Sequence, residues 1–433
     1  MPPLAHPSVA IIGGGWAGLA CALRLAKAGY QPVVFEAAPE PGGRARQAPI
    51  AGEQRDNGQH LMLAGCRALN SLFAEAGIEL PTIPFAFSSG ARTLVLGSQT
   101  GRLGLLRSLF RAKGFSLPER YALVRALPVL QLKRWRVAEN LTVDEWLVQT
   151  KQPALLIREF WTPLALAILN TPTSVAAMSR LVPVLRDTLG TGAAALSVLA
   201  PHENLTRSIV APLVQAIEEE GGKVYYRQRI TGLTADAAGF NLAQHGTDSQ
   251  RFEQVVLALP PWALTKLTLP PALDAATLNA RFGTQPIATV YLAFAPTFRL
   301  SVPLLQIAGP TTADARIWAM DRAHCGEPGV IALSVSAKGP WCALSKVDLA
   351  EACLSAFREA TRTAEPCLWK KAVTIQQATP AATPKAKIYP HELEPLPNLF
   401  LAGDWTHPDY PATLEAAVAS GFRAASKILG MRS

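Results

Sequence analysis

The chain has 433 residues, of which 49% are hydrophobic and only 17% are charged. A chain of this length and apolar content predicts two folded domains with a large core and excludes an intrinsically disordered protein. The six cysteines are scattered without a CxxC pair, which excludes a zinc framework or a small disulfide scaffold and predicts reduced thiols.

Residues 9–37 predict a strand, a turn, a helix and a second strand, in that order. The turn has the spacing Gly13-x-Gly15-x-x-Gly18, and the second strand closes with Glu36. The first glycine allows a tight turn, the second lets a pyrophosphate approach the backbone, and the third lets helix and strand pack closely. Free N–H groups at the helix start favour the diphosphate, and the acid can accept hydrogen bonds from ribose hydroxyls. The segment therefore predicts a dinucleotide site.

Two further motifs follow the second strand. Gly42-Gly43-Arg44 returns the chain towards the phosphates and supplies a cation, a pattern typical of FAD proteins in the flavin amine oxidase and desaturase group. The polar run "DNGQH" (56–60) then precedes a predicted helix of two to three turns.

A basic stretch lies between Arg102 and Arg136. It holds nine Lys or Arg residues and one acid, Glu119, so it carries +8 of the chain's net +9. Leucines are interleaved with these charges, which suits an anionic membrane surface and equally a solvated helical face. Nucleic acid is not expected as a partner, because aromatic residues for base stacking are sparse here.

The middle of the chain predicts further strands. Residues 221–261 predict a strand, a hairpin and another strand, and residues 80–200 predict helices. Additional strands are predicted at Ile287–Phe294, Arg316–Met320, Val330–Ala337 and Trp369–Gln376.

The C-terminal segment predicts a strand at Leu399–Ala402, an acidic turn at Gly403-Asp404 and a helix that begins near Thr413. Glu415 falls in the first turn of that helix, where the helix dipole favours an acid, so we expect a surface residue without a catalytic role.

On these motifs the chain closely resembles the hydroxysqualene dehydroxylases, also described as squalene-associated FAD-dependent desaturases, within the flavin amine oxidase superfamily. The resemblance spans most of the chain, and "DNGQH", "LNTP" (169–172) and "GDWT…PATLE" (403–415) are its narrower blocks. It implies an α/β fold, with a Rossmann-like FAD-binding domain assembled from residues 1–79, 201–265 and 385–433. An α+β substrate domain with a mixed or antiparallel sheet and a helical subdomain would comprise 80–200 and 266–384, including the basic helical region 102–146.

The resemblance also implies the residues that bind FAD without a covalent link. They are Gly13, Gly15, Trp16, Ala17, Gly18, Glu36, Ala37, Gly43, Arg44, Gly58, Gln59, His60, Leu61, Ile230, Gly403, Asp404, Thr413 and Leu414. Ile230 would contact the adenine through its backbone.

The implied reaction is the reductive removal of the allylic hydroxyl of hydroxysqualene, which gives squalene for hopanoid synthesis. Catalysis would depend on the flavin, because the sequence lacks HExxH, GKS/T and GxSxG motifs and its seven histidines are too scattered for a metal centre. His60 is a weak candidate for the acid and is as well explained as a backbone contact of the cofactor. Asn170 and Thr171 could bind the hydroxyl, but a helix break before Pro172 explains them equally.

Two other functions stay open at this point. One is a flavin oxidase or desaturase that acts on amines or carotenoids; Thr413 occupies a position where amine oxidases commonly have an aromatic residue, which argues against an amine. The other is a non-catalytic FAD-containing escort protein for a lipid.

We expect a long apolar isoprenoid substrate, partner enzymes of the squalene pathway, and a cytoplasmic protein at the inner face of the membrane. A signal peptide is not expected, because no basic segment and cleavage site flank an apolar stretch.

Overall fold

A computed structural model describes residues 7–89, 92–96, 111–244, 247–311 and 316–431. The strands are β1 (Val9–Ile12), β2 (Val33–Phe35), β3 (Gln47–Ile50), β4 (Glu53–Asp56), β5 (Met62–Leu63), β6 (Thr82–Ile83), β7 (Phe85–Ser89), β8 (Arg92–Leu96), β9 (Val198–Leu199), β10 (Lys223–Tyr225), β11 (Ile230–Asp236), β12 (Gly239–Gln244), β13 (Thr247–Phe252), β14 (Gln254–Leu257), β15 (Gln285–Ala293), β16 (Leu304–Ala308), β17 (Arg316–Asp321), β18 (Val330–Ser336), β19 (Trp369–Thr379) and β20 (Leu399–Leu401).

The α-helices are α1 (Trp16–Lys27), α2 (Arg67–Glu75), α3 (Leu117–Leu132), α4 (Val143–Gln149), α5 (Ala154–Leu156), α6 (Thr162–Leu169), α7 (Met178–Asp187), α8 (Ala211–Glu219), α9 (Pro261–Leu264), α10 (Ala275–Phe282), α11 (Lys346–Thr361) and α12 (Leu414–Ile428). Turns of π-helix occupy Ile157–Trp161 and Thr206–Val210, and 3-10 turns occupy Ala193–Leu196, Arg322–Cys325, Pro340–Ala343, Pro390–Leu393 and Asp404–Thr406. None of the helices in the described part of the chain is both long enough and apolar enough to cross a bilayer.

A five-stranded parallel sheet joins the two ends of the chain. Its strand order is β10-β2-β1-β14-β20, so the C-terminal strand lies one strand away from the N-terminal strand. Every residue of β1 is buried, as expected of a central parallel strand covered on both faces. Helices α1 and α12 pack against each other so closely that a Cβ on Gly421 would lie 2.1 Å from the Ala17 carbonyl oxygen.

A seven-stranded mixed sheet forms the second large unit. Its order is β19-β15-β18-β17-β16-β7-β8, and only the β16–β7 pair is parallel. The predicted strands of residues 287–376 are all present. The helical interpretation of 80–200 is wrong at its start, because β7 and β8 form a hairpin that extends this sheet.

The two faces of the seven-stranded sheet have different partners. One face packs against α11 through alternate residues such as Val290 and Leu333. The other face, called the inner face below, carries the intervening residues, among them Leu304, Trp318 and Met320. These contact the apolar core of the helices between α3 and α7. The fold class predicted from the sequence is therefore confirmed.

Candidate functional site

The glycine-rich turn after β1 lies at the carboxyl edge of the parallel sheet. Gly13 has a φ of +110°, which a side chain rarely permits, and its N–H donates to the Phe35 carbonyl at 2.9 Å. A Cβ on Gly18 would lie 2.0 Å from the Gly13 carbonyl oxygen, so this position requires glycine for packing alone. A Cβ on Gly15 would contact only the Gly43 Cα, at 3.8 Å, which leaves room above the turn.

The second glycine pair lies directly against the first turn. The Gly42 N–H donates to the Gly14 carbonyl at 2.8 Å, and Gly43 adopts a φ of +62°. Glu36 joins the same cluster, because its carboxylate accepts from the Gly14 N–H at 2.8 Å and from the Ala38 N–H at 2.7 Å. The predicted phosphate- and ribose-binding residues therefore converge on one turn.

Arg44 connects this turn to the C-terminal segment. Its guanidinium pairs with Asp404 at 2.6 Å and donates to the Ala378 carbonyl at 2.8 Å. Asp404 follows β20 and is buried, and the preceding Gly403 has a φ of +140°. A charge pair thus holds the predicted N- and C-terminal parts of the site together.

Helix α12 begins at this junction. Thr413 is its N-cap and accepts from the Ala416 N–H at 3.2 Å. Glu415 is buried, contrary to the expected surface position, because its two carboxylate oxygens accept the Ala68 and Leu69 N–H groups at the start of α2. Burial raises the pKa of this carboxyl. Glu415 is therefore a structural bridge between α12 and α2.

The "DNGQH" segment lies against the inner face of β15. Gln59 donates to the Tyr291 hydroxyl at 2.9 Å and accepts from Arg322 at 3.1 Å. Arg322 also pairs with Asp56 at 2.9 Å and with Glu327 at 2.6 Å. This buried network orients the segment, and sequence reasoning missed its three members beyond the motif, Tyr291, Arg322 and Glu327. A lone tyrosine and a lone arginine carry no local signal for contacts more than 230 residues away.

His60 and Leu61 end this segment. The Nε2 atom of His60 is buried without a hydrogen-bond partner among the described residues. Burial lowers the pKa of the imidazole, and the nearby Arg322 and Arg44 lower it further against the opposing effect of Asp56. The ring is therefore neutral at physiological pH. Leu61 is 41% exposed.

The remaining predicted residues lie around the same turn. Trp16 donates its indole N–H to the Ala45 carbonyl at 3.2 Å, so its side chain serves packing. Ala17 and Gly18 are buried in α1, Ala37 is exposed, and Leu414 is partly exposed. Ile230 begins β11, close to the Gln228 N–H that donates to the Glu36 carbonyl.

Asn170 and Thr171 have structural roles. Asn170 ends α6 in the left-handed conformation, and its amide bonds the Thr379 hydroxyl and the Ala337 N–H at 2.9 and 2.6 Å. Thr171 donates to the Leu169 carbonyl and accepts from the Ala382 N–H. The helix-break explanation of both residues is supported.

The site fits a flavin dinucleotide. A Cβ on Gly15 would meet nothing closer than 3.8 Å, so a diphosphate could approach the backbone at the start of α1, where helix N–H groups favour an anion. The six cysteines are free, and burial raises the pKa of the Cys21 and Cys66 thiols to about 12. Within the described residues no cluster of His, Cys, Asp and Glu could hold a metal ion.

Comparison with known proteins agrees with this geometry. The family described as "Flavin containing amine oxidoreductase" matches residues 16–429. The chain is 30% identical to the hydroxysqualene dehydroxylase of Rhodopseudomonas palustris, over 98% of both chains. It is 26% identical to that of Zymomonas mobilis, over 97% of this chain and 98% of the relative. Among solved structures, a putrescine oxidase variant redesigned in cofactor binding superposes with a TM-score of 0.73 at 16% identity, covering 98% of this chain and 99% of the other. The last likeness concerns the fold alone.

Proposed function

The chain belongs to the flavin containing amine oxidoreductase family and is an FAD-dependent oxidoreductase, and we propose that it reduces hydroxysqualene to squalene. The observation that carries this proposal is the junction of the cofactor turns with an apolar sheet face. The segment that holds Gln59 and His60 lies on β15, and the same face continues through Trp318 and Leu304 into the helical core. A cofactor held there would meet a long hydrocarbon.

The residues of the chain have separate tasks in this reaction. The bound flavin supplies the hydride that replaces the hydroxyl group, so that an alcohol and two reducing equivalents give a hydrocarbon and water. Gly15, Glu36 and Gly43 bind and position the dinucleotide, and the positive N-terminal end of α12 stabilises negative charge beside it. The apolar inner face excludes water, which favours charge separation at the carbon under attack.

We propose the domain division given by the sequence. Residues 1–79, 201–265 and 385–433 would form the FAD-binding domain, which is supported by the shared sheet of β1, β2, β10, β14 and β20. Residues 80–200 and 266–384 would form the substrate domain around the seven-stranded sheet. We also propose that the FAD is held without a covalent bond, as the resemblance implies.

A pocket of about 310 Å³ offers an entrance for the substrate. It is lined by Ala154, Ile157, Arg158, Thr162, Pro163, Leu166 and Arg316. Pro163 accepts a hydrogen bond from the indole of Trp318, so the pocket adjoins the inner face of the sheet. We propose that hydrocarbon chains enter here.

An anionic membrane surface is a further proposed partner. Residues 102–110 of the basic stretch lie outside the described residues, but α3 and its flanks are described. Leu117 and Leu132 are 78% and 86% exposed beside exposed Lys113, Lys133 and Arg134. This combination suits insertion into a lipid headgroup layer. Arg120 and Arg125 contribute less, because each donates to backbone carbonyls.

An anaerobic assay tests the proposed reaction. The holoenzyme is reduced with dithionite, mixed with hydroxysqualene, and extracted into hexane for detection of squalene. We expect squalene in proportion to enzyme and none from the oxidised enzyme. If reduced enzyme yields no squalene, the proposed function is wrong. Oxygen uptake with amines would instead support an amine oxidase, which Thr413 disfavours because its hydroxyl caps α12 and no aromatic ring stands there.

A further inference from the structure

Two buried polar atoms without partners converge on one point of the site. Thr289 lies on the inner face of β15 and is 1% exposed, and its hydroxyl has no hydrogen-bond partner among the described residues. The Nε2 atom of His60 is in the same situation. A methyl group built on Gly58 would lie 3.5 Å from that nitrogen and 3.9 Å from the Thr289 hydroxyl oxygen. Both atoms therefore border the same small space above Gly58.

The neighbouring polar groups do not form hydrogen bonds with these two atoms, because they already have other partners. The Asp56 carboxylate accepts from the Leu205 N–H and pairs with Arg322, and Gln59 is bonded to Tyr291. Polar atoms buried in proteins are nearly always hydrogen-bonded, so a bound group that bonds both atoms would be favoured here. Each atom can donate or accept, since a hydroxyl does both and a neutral imidazole nitrogen does either.

The charges nearby restrict what that group can be. The Asp56 carboxylate beside this segment is held by its ion pair with Arg322 and by the Leu205 N–H, so it offers no unshared partner to a protonated amine. A neutral alcohol, which both donates and accepts, matches the two atoms. The same inner face also carries apolar side chains, Leu304, Trp318 and Met320, which suit its hydrocarbon part.

We propose that the Thr289 hydroxyl and His60 Nε2 form a hydroxyl-binding site above Gly58, which holds the oxygen of an allylic alcohol. This inference rests on the proposed function and names the residues that recognise the group to be removed. Thr289 and His60 come from strand β15 and from the "DNGQH" segment, so the site exists only where the two parts of the fold meet. The hydrocarbon product lacks the oxygen and would leave both atoms unpaired.

Ligand titrations of the oxidised holoenzyme test this site without turnover. Hydroxysqualene and squalene are added separately in detergent, and changes in flavin absorbance give each Kd. We expect the wild type to prefer the alcohol by roughly three- to tenfold, as a hydrogen bond to a neutral group commonly gives. Thr289→Val should abolish the preference by weakening alcohol binding alone, and Thr289→Ser should restore it.

The matched control is Thr374→Val on the neighbouring strand. Thr374 pairs with Ala288, whose side chain belongs to the core on the opposite face, so this variant should keep the wild-type preference. A wild type without preference, or a Thr289→Val variant that retains it, would overturn the site. Weaker FAD binding by Thr289→Val, with an unchanged preference once FAD is added to saturation, would also overturn it, because the pair would then serve the cofactor. Squalene formation by the wild type, measured separately, decides the proposed function whatever the titrations show.

Discussion

Gly15 and Gly18 lie three residues apart in one turn, yet an added methyl group would have different consequences at each. At Gly18 it would collide with the Gly13 carbonyl oxygen, whereas at Gly15 it would meet only Gly43 at an ordinary contact distance. We therefore expect Gly15→Ala to fold but to lose the yellow flavin spectrum, because the methyl group occupies the space proposed for the diphosphate. The loss of helix-cap preference costs only about 1 kcal/mol.

Gly18→Ala is the matched comparison for this prediction. It should lower the Tm of the apoprotein strongly, while Gly15→Ala should lower it by a few degrees. Visible absorbance after reconstitution with FAD and thermal unfolding of both apoproteins give the answer. A Gly15→Ala protein saturated with flavin would contradict the assignment of this turn to the diphosphate.

His407 predicts a pH dependence of stability. Its Nδ1 atom accepts from the Asp409 and Tyr410 N–H groups at 3.1 and 2.9 Å, so protonation would place a donor against two donors. Burial, followed by repulsion from Arg423, lowers the pKa of His407 to about 4. Because this pKa lies below the ordinary value near 6.5, the stability that His407 provides is complete above pH 6.5. It is lost as the pH falls towards 4.

His407→Asn isolates this effect. An asparagine can accept the same two N–H groups in an Asx turn but does not titrate. We expect the difference in unfolding free energy between wild type and variant to shift by roughly 2–3 kcal/mol between pH 7 and pH 4, in favour of the variant. Urea unfolding of the apoproteins at the two pH values measures it. Parallel pH profiles would show that His407 does not contribute.

Among individual residues, the sequence identifies correctly those whose role depends on a short local motif. The glycine spacing locates Gly13, Gly15 and Gly18 correctly because turn geometry is a short-range property. Glu415 is misjudged because an acid in a first turn looks the same whether it faces solvent or the N-terminus of another helix. Thr289 is one polar residue in an apolar strand, and only the fold shows that its hydroxyl faces His60.

Arg180 connects three elements through backbone carbonyls. Its guanidinium, on α7, donates to the carbonyls of His407, Pro408 and Tyr410 and to that of Ala386. These residues belong to the segments that precede α12 and β20. The arginine therefore holds in place the loop that leads to Thr413 at the proposed flavin site.

Arg180→Lys should loosen this loop. An ammonium cannot span the carbonyls that the planar guanidinium reaches, and lost hydrogen bonds from a charged donor cost about 2–4 kcal/mol here. We expect a lower Tm and weaker FAD binding by fluorescence titration. Arg186→Lys is the control, because Arg186 lies on the same helix but pairs with Asp187 near the surface. Equal effects of both substitutions would argue against a special role of Arg180.

The sequence predicts strands well where an apolar or alternating pattern continues over several residues. The four strands predicted within 287–376 alternate or run apolar over five or more residues, and each is found within three residues of its predicted bounds. Strand β16, in the same range, is missed. The hairpin β7–β8 is missed because each strand has only five residues, β7 ends in two serines and a basic stretch follows β8. Its pairing with β16 brings together residues more than 200 positions apart, and local sequence cannot specify such a pairing.

At the scale of the whole molecule, the strand order shows that the proposed site forms only when both large sheets are folded, because each sheet contributes residues to it. The cofactor turns follow β1, β2 and β20, while the hydroxyl-binding site needs β15 from the other sheet. Arg322, just after β17, pairs with Asp56 at the end of β4 across this junction. We therefore expect bound cofactor to stabilise both sheets, because the "DNGQH" segment that would contact it also packs against β15.

The surface around α3 leads to a prediction about how the whole protein binds to anionic membranes. Exposed Leu117 and Leu132 are flanked by basic side chains, so the described part of the chain presents charge and apolar surface together. Each Lys or Arg near an anionic bilayer contributes about 1 kcal/mol of binding. We expect the triple variant Lys113→Glu, Lys133→Glu, Arg134→Glu to bind vesicles of phosphatidylglycerol and phosphatidylcholine at least about tenfold more weakly than the wild type.

The matched control changes the net charge equally at distant exposed positions, by replacing Lys223, Lys266 and Lys338 with Glu. If attraction depends on net charge alone, both triple variants lose binding to the same extent in co-sedimentation at low salt. If α3 is the contact, only the first variant loses it, and a Leu117→Ser, Leu132→Ser variant weakens the binding that persists at high salt, where electrostatic attraction is screened. Equal partition of all variants would identify α3 as an ordinary solvated helix, and a long apolar substrate would then have to reach the pocket beside Pro163 by another route.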